Sequence, residues 1–303
     1  MSGEVSKRGL IFALAIVAVA MFFVGYLASA LASSNISQVG AKTVTKTVVE
    51  TAGLNPRLNV AGSTTVTPIV EEAARRFSKL YPSFKISVAA IGSGPGIKAV
   101  GSGEVDIGMA SRDLKEKEVE QWPDLKPFRI AMDSIAIVVH PSNPVNGLTL
   151  EQVAKIFAGE ITNWKEVGGP DKPIHVITRE KGSGTRDCFE HAVMKPFKKE
   201  ISAKAMVQQG NPKVRTAVAN DPLAIGYVSL GFVDETIEPL KIDGVEPKIE
   251  NVLKGTYPIK RNLYVITKGD PGPAELMFIG YLLSPKGQKI VEELGYIPLY
   301  SVS

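Results

Sequence analysis

The chain has 303 residues, of which 44% are hydrophobic, 22% charged and 7% aromatic, and its formal net charge is +4. This is enough apolar material for one large domain or two ordinary ones, and the weakly basic balance suits an anionic ligand. Nucleic acid is disfavoured, because no Lys/Arg cluster is interleaved with aromatic residues. The single cysteine, Cys188, excludes an internal disulfide and a cysteine-rich metal site, and a buried hydrophobic position suits it best.

The N-terminal region contains an apolar segment without any charge. Lys7 and Arg8 precede this segment, which spans residues 10–32. About 20 apolar residues cross a bilayer as a helix, and the preceding positive charges favour a cytoplasmic N-terminus. A cleaved signal peptide is the alternative, with Ala30-Leu31-Ala32 as a candidate cleavage site. We predict that residues 1–32 are a signal anchor or a signal peptide.

The next segment, residues 33–54, is rich in Ser, Thr, Val and Ala and is predicted to be a flexible tether. From residue 55 onward, short apolar runs typical of strands alternate with stretches at helical spacing. The predicted strands are 58–61, 86–91, 107–110, 130–139, 174–178, 224–229, 240–242 and 263–267, and the predicted helices include 69–80, 150–157, 185–193, 214–219, 274–283 and 285–294. This alternation predicts an α/β fold with largely parallel sheets and two domains.

Three turns share one local design, at residues 60–68, 90–97 and 178–185. Each follows an apolar strand, contains Gly with Ser or Thr, and leads into a helical pattern. The first turn of a helix offers free N–H groups and partial positive charge, and glycine allows an oxyanion to approach the backbone closely. One such turn is better explained by an ordinary helix cap. Three in one chain favour a shared site for phosphate or sulfate.

Two arginines lie at strand ends next to these turns. Arg112 follows the predicted strand 107–110, and Arg179 precedes the third turn. A guanidinium group binds phosphate through paired N–H donors, although most arginines form surface ion pairs instead. In that alternative, Arg112 pairs with Asp113 or Glu116, and Arg179 pairs with Glu180.

Catalytic and metal-binding patterns are weak in this sequence. The histidines are His140, His175 and His191, and none is paired at metal-ligand spacing. Ser183 does not lie in a G-x-S-x-G elbow. We therefore predict a binding protein rather than an enzyme, with no cofactor and no metal site.

Several motifs in order resemble the phosphate-binding proteins of phosphate ABC transporters. The matching segments are AGSTTVTPI (61–69), IGSGPGIKAVGSGEVDIGMASRDLKEKE (91–118), IAIVVHPSNPV (135–145), LTLEQVAKIFAGEITNWKEVGG (148–169), TREKGSGTRDCFE (178–190), AIGYVSLGFVD (224–234) and YPIKRNLYVITK (257–268). The resemblance implies a two-lobed type II periplasmic-binding-protein fold with two crossover strands and the ligand between the lobes. Domain I would comprise residues 55–136 plus 246–303, and domain II residues 137–245.

The resemblance also implies a set of phosphate ligands. Carried over by motif, they are Thr64, Thr65, Ser93, Gly94, Ser111, Arg112, Arg179, Ser183, Gly184 and Thr185. The best-known branch of the family has an aspartate at the position of Arg112, where it accepts a hydrogen bond from protonated phosphate. We predict that Asp133 replaces this acceptor; the alternative for Asp133 is a domain-crossing hydrogen bond or a helix cap.

The resemblance predicts a receptor that captures inorganic phosphate outside the cytoplasm and delivers it to the permease and ATPase subunits of an importer. The receptor would be anchored to the outer face of the membrane, or secreted or periplasmic if the N-terminal helix is cleaved. The alternatives are a receptor for sulfate, molybdate or tungstate, a surface phosphoester hydrolase, and a sensor or adhesin.

Overall fold

The computed structural model describes residues 56–301. The predicted N-terminal helix and the tether lie outside the described residues. The chain from Arg57 onward forms a compact unit of its own. Within residues 56–301, no helix has the length and apolar character needed to span a bilayer.

Strands and helices alternate along the described chain, as the hydrophobic pattern predicts. The strands are β1 Arg57–Gly62, β2 Lys85–Ala90, β3 Ile107–Ala110, β4 Leu125–Val139, β5 Gly147–Leu148, β6 His175–Arg179, β7 Met206–Gln208, β8 Ala224–Ser229, β9 Glu238–Pro239, β10 Lys241–Ile242 and β11 Lys260–Lys268. The α-helices are α1 Thr67–Leu80, α2 Ser93–Ser102, α3 Glu116–Gln121, α4 Leu150–Ala158, α5 Gly184–Phe189, α6 Gly210–Ala219, α7 Ile249–Leu253, α8 Pro273–Leu283 and α9 Pro285–Glu293. Short 3-10 turns and one π turn, Glu190–Met194, complete the helical segments.

The sheet has a parallel group of strands at each end and antiparallel strands in the middle. Its order is β2-β1-β3-β11-β4-β8-β6-β7, with β9 paired to β4, and β5 and β10 form a separate parallel pair. β1 runs parallel to β2 and β3, and β6 runs parallel to β7 and β8. The prediction of largely parallel sheets therefore holds within each end group, whereas β11 and β4 pair in antiparallel fashion with their neighbours.

Strand β4 connects the two halves of the sheet. From Leu125 to Ser134 it pairs with β11, and from Ile135 to Val139 it pairs with β8. We call the part built on β1, β2, β3 and β11 the first lobe, and the part built on β6, β7 and β8 the second lobe. The second segment of β4 is entirely buried, which agrees with its uninterrupted apolar sequence.

Two glycines allow the first two Gly–Ser/Thr turns to pack against each other. Gly62 has a φ of 149°, and a Cβ atom there would lie 2.2 Å from the carbonyl oxygen of Met109. A Cβ atom on Gly96 would lie 2.4 Å from the Cα atom of Gly62. Because both distances are shorter than any real Cβ contact, only glycine lets α2 approach the end of β1 this closely.

The third turn rests on an aromatic cluster in the second lobe. The rings of Phe189 and Tyr227 are stacked with centroids 4.1 Å apart, and Phe157 packs beside them. The Tyr227 hydroxyl lies 2.8 Å from Thr178 Oγ1 and accepts a hydrogen bond of 3.2 Å from the backbone N–H of Arg179. Burial raises the pKa of Tyr227 to about 12, so the hydroxyl stays protonated while it holds the end of β6 in place.

Candidate functional site

The three Gly–Ser/Thr turns meet at one place between the lobes, together with the end of β3. Thr65 and Thr185, from different lobes, have their Oγ1 atoms 3.3 Å apart. Ser93 and Ser111, both from the first lobe, have their Oγ atoms 3.3 Å apart. All four side chains are at most 1% exposed, and we call this group of four the hydroxyl ring. The ring gathers hydroxyl groups at carboxyl ends of parallel strands, which is where open α/β sheets bind ligands.

Backbone contacts bring the second and third turns together. The N–H of Gly94 donates a hydrogen bond of 2.9 Å to the carbonyl oxygen of Gly182. A Cβ atom on Gly184 would lie 2.3 Å from Ser93 Oγ and 2.6 Å from Ser111 Oγ. Gly184, the first residue of α5, therefore faces the hydroxyl ring directly across the boundary between the lobes.

Ser183 and Thr64 lie at the margin of the ring. Ser183 is the N-cap residue of α5, because its Oγ accepts a hydrogen bond from the N–H of Arg186 at 3.2 Å. Thr64 Oγ1 accepts longer hydrogen bonds, of 3.4 Å each, from Arg179 and Asn211 of the second lobe. The structure thus brings the predicted site residues of the three turns together at one boundary.

Arg179 is paired with Glu180, the partner that the ion-pair alternative predicts, but at 1% exposure the Arg179 side chain is buried and not on the surface. Its Nε and Nη2 donate to Glu180 at 2.9 and 2.8 Å, and its Nη1 donates to Asn211 Oδ1 at 3.3 Å. Burial acts to raise the pKa of Glu180, but the hydrogen bonds and charge of Arg179 outweigh burial and hold that pKa below its ordinary value.

Arg112 is also paired, although its partners differ from the predicted Asp113 and Glu116 side chains. Two of its nitrogens donate to Glu118 at 2.7 Å each, and Nη1 also donates to the carbonyl oxygen of Asp113 at 2.8 Å. Its Nε lies 2.8 Å from Asp187 Oδ2 of the second lobe, an ion pair without good hydrogen-bond alignment. Burial opposes the charge of Arg112, yet the two carboxylates raise the pKa of its guanidinium above the ordinary value.

An arginine that the sequence analysis missed lies at the centre of the hydroxyl ring. Arg261 of β11 is 7% exposed. Its Nη1 donates to Thr185 Oγ1 at 2.9 Å and to Ser111 Oγ at 3.3 Å, and its Nη2 donates to Thr65 Oγ1 at 3.0 Å. Arg261 therefore contacts three members of the ring, whereas the hydrogen bonds and the ion pair of Arg112 reach none of them.

Asp133, the predicted acceptor, is the partner of Arg261. The two residues are directly opposite each other in the β4–β11 register. Nε and Nη2 of Arg261 donate to Asp133 Oδ2 at 2.9 and 2.7 Å. Asp133 is 1% exposed, and its Oδ1 has no hydrogen-bond partner among residues 56–301. A buried oxygen of this kind is costly unless a ligand or water satisfies it.

A fourth turn also contributes to the site and was not recognised in the sequence. Asn211 lies in the first turn of α6 and is fully buried. Its Nδ2 donates to Thr65 Oγ1 at 2.9 Å, and its Oδ1 accepts from the N–H of Ser229 at 3.2 Å. The segment Gly210-Asn211-Pro212 also lies between a strand and a helix, but it has Asn in place of Ser or Thr, so the Gly–Ser/Thr pattern did not find it.

Chemically, the site offers hydroxyl, amide and guanidinium donors together with one unsatisfied carboxylate oxygen. Such a set is suited to an oxyanion that carries a proton. Within the described part of the chain, no group of three or more His, Cys, Asp and Glu side chains is arranged to hold a metal ion.

The fold and site are those of a two-lobed α/β binding protein of the periplasmic-binding-protein type, and residues 37–286 match the PBP superfamily domain. The chain is 35% identical over 244 residues to the phosphate-binding protein PstS of Bacillus subtilis, covering 80% of each chain. A phosphate-bound structure of a putative phosphate ABC transporter substrate-binding protein from Clostridium perfringens is 39% identical, with a TM-score of 0.77; the match covers 81% of this chain and all of that one. An ABC-type phosphate transport receptor from Vibrio cholerae is 34% identical, with a TM-score of 0.67, over 80% of this chain and all of that one.

The chain therefore belongs to the phosphate-binding proteins of phosphate ABC transporters. The family and the two-lobed α/β fold predicted from the sequence motifs are confirmed.

Proposed function

We propose that this protein is an extracytoplasmic receptor that captures inorganic phosphate between its two lobes and delivers it to the permease and ATPase subunits of an ABC importer. The observation that carries the proposal is the buried hydroxyl ring, to which both lobes contribute. The likeness to phosphate-bound and phosphate-transport relatives supports the same ligand.

In this proposal the anion is held mainly by neutral donors. The ligands are the ring hydroxyls, the margin residues Thr64 and Ser183, the backbone of Gly94 and Gly184, and the Arg179 guanidinium. Helix α2 begins at Ser93 and α5 begins at Gly184, so the partial positive ends of both helices favour an anion there. Arg112 and Arg179 both remain predicted members of the site, although a carboxylate partner already occupies much of each guanidinium.

Asp133 is proposed to distinguish phosphate from sulfate. Near neutral pH phosphate carries at least one proton, which Asp133 Oδ1 can accept, whereas sulfate carries none and is repelled by the carboxylate. An unsatisfied buried polar group costs about 1–3 kcal/mol, and more when it is charged. Because the carboxylate of Asp133 is charged, its cost exceeds about 1.4 kcal/mol, and a preference of at least tenfold for phosphate follows.

Closure of the lobes around phosphate is the proposed mechanism. We assign domain I to residues 55–136 plus 246–303 and domain II to residues 137–245. The exchange of β4 partners between Ser134 and Ile135 supports the first boundary, and the start of β11 at Lys260 is consistent with a second crossing between residues 232 and 262. Phosphate contacts from both lobes favour the closed arrangement over an open one.

The membrane attachment is a further part of the proposal. The uncharged segment 10–32 supports an anchor that keeps the receptor at the outer face of the membrane, or a signal peptide that releases it. We also propose that the protein binds without catalysis, because its relatives are transport receptors.

Isothermal titration calorimetry on the full chain in detergent, after bound phosphate has been removed, tests this function. We expect one phosphate to bind per chain and sulfate to give no heat. If neither anion binds, the proposed receptor function is wrong. Turnover of p-nitrophenyl phosphate would favour the hydrolase alternative instead.

The role of Asp133 is tested in the same assay. Asp133→Asn should reduce the preference for phosphate over sulfate at least tenfold, whereas the exposed Asp270→Asn variant should behave like the parent. An unchanged preference in Asp133→Asn would show that this carboxylate does not recognise the phosphate proton.

A further inference from the structure

Arg261 has a bonding pattern that bears on how the ring recognises an anion. Its five N–H groups are directed at Asp133 and at three ring hydroxyls, Thr65, Ser111 and Thr185. A hydroxyl group has one proton to donate and two lone pairs to accept with. Each bond from Arg261 therefore occupies a lone pair and leaves the hydroxyl proton to be donated elsewhere.

Thr65 shows this effect most clearly. Its Oγ1 accepts from Arg261 Nη2 at 3.0 Å and from Asn211 Nδ2 at 2.9 Å. Both lone pairs are then occupied by N–H donors, so Thr65 has only a proton to offer. Its neighbour Thr185 also accepts from Arg261, and the two hydroxyls lie only 3.3 Å apart. Thr65 can therefore donate its proton to Thr185, and the proton of Thr185 is then free for a ligand.

The same guanidinium also determines how Asp133 is presented. Arg261 binds Asp133 through Oδ2 alone, with both Nε and Nη2, and the buried Oδ1 is left without a partner in the described part of the chain. A single side chain thus makes three of the ring hydroxyls proton donors and leaves one carboxylate oxygen free to accept a proton.

We infer that Arg261 is a specificity-determining positioning residue: it turns three of the ring hydroxyls into proton donors and holds Asp133 so that one carboxylate oxygen accepts a proton from the ligand. This inference rests on the proposed function. It defines the ligand class as tetrahedral oxyanions that carry a proton near neutral pH. Arsenate shares this chemistry with phosphate, whereas sulfate lacks the proton.

Arg112 does not provide this function in the structure, even though it lies one residue from Ser111. Its guanidinium bonds reach two carboxylates and a backbone carbonyl, none of which belongs to the ring. Arg261 and Arg112 can therefore be distinguished by substitution.

Arg261→Lys is the test variant, because lysine keeps a positive charge beside Asp133 but lacks the planar fork of donors. We expect thermal unfolding close to that of the parent, while calorimetry shows phosphate and arsenate affinities reduced together by about 10- to 100-fold, as for a lost charged hydrogen bond. Arg112→Lys should cost less phosphate affinity than Arg261→Lys. Arg129→Lys, an exposed substitution on the same strand pair, should change nothing.

A second variant covers the case in which the lysine substitution unfolds the protein. Asp133→Asn combined with Arg261→Gln replaces the ion pair with neutral groups that can still hydrogen-bond, so no buried charge is left alone. We expect it to bind phosphate more weakly than Asp133→Asn alone, because three ring hydroxyls also lose the guanidinium that makes them proton donors.

The inference is overturned if Arg261→Lys binds phosphate like the parent, if Arg112→Lys costs more affinity than Arg261→Lys, or if the double variant binds phosphate as tightly as Asp133→Asn. A parent protein that binds no phosphate would instead contradict the proposed function itself, so the two failures are distinguishable.

Discussion

Gly184→Ala should separate closure of the lobes from stability of the fold. The added Cβ atom would lie 2.3 Å from Ser93 Oγ and 2.6 Å from Ser111 Oγ, whereas ordinary contact begins near 3.4 Å. The facing serines must therefore retreat by about 1 Å. Overpacking of this kind costs about 1–3 kcal/mol, which corresponds to a loss of about 5- to 150-fold in phosphate affinity.

Calorimetric titration with phosphate measures this loss, and thermal unfolding without phosphate provides the comparison. Because the serines and Gly184 belong to different lobes, an open receptor has no clash and should unfold at the parental temperature. Gly280→Ala is the matched control: Gly280 lies in α8 with no atom within 4 Å of an added Cβ, so it should keep the parental affinity. Parental affinity in Gly184→Ala would refute the closed arrangement of these turns.

Three further predictions follow from the ion pairs and the cysteine. Asp187→Asn removes the ion pair that Arg112 makes across the two lobes. Phosphate should then dissociate about fivefold faster in stopped-flow measurements, which corresponds to a loss of ~1 kcal/mol. An unchanged dissociation rate would show that this ion pair does not hold the lobes together. The pKa of Glu180 is held below its ordinary value of 4.5, so the stability from its pairing with Arg179 is complete above pH 4.5 and is lost as the pH falls through the lower pKa of the folded state. Glu180→Gln should therefore remove this part of the acid dependence of stability, measured by urea unfolding. An acid dependence identical to that of the parent would contradict a stabilising role for the pair. Burial raises the pKa of Cys188 to about 11, so iodoacetamide should react with the native thiol at pH 8 on the order of 100-fold more slowly than with the unfolded chain, and equal rates would show that the thiol is not shielded.

The local sequence pattern was sufficient to predict those strands and turns whose bounds depend only on their own residues. The predicted strands 107–110 and 224–229 agree with β3 and β8 in both bounds, and each is a short run of buried residues. The three Gly–Ser/Thr turns were likewise recognisable, since a turn's chemistry lies within a few consecutive residues.

Contacts between residues that are far apart in the sequence could not be predicted from local patterns. Arg261 and Asp133 are 128 positions apart, and only the pairing of β11 with β4 brings them together. In sequence, Arg261 is one of three basic residues in the strand-like segment 260–268, and nothing local distinguishes it from Lys260 or Lys268. The partner of Arg112 across the lobes, Asp187, depends in the same way on the arrangement of the lobes. Asn211 was missed for a different reason: β7, which precedes it, has only three residues, two of them exposed, and so produces no clear apolar signal.

The position of β11 also has a consequence for how the chain reaches its folded state. β11 lies between β3 and β4 in the sheet, yet it follows them by more than a hundred residues in the chain. Until residues 260–268 arrive, β3 and the first part of β4 each present an open edge, which is a common starting point for aggregation. The first lobe therefore cannot fold progressively from its N-terminus as the chain is made and exported. Its completion depends on a slow, long-range step near the end of the chain.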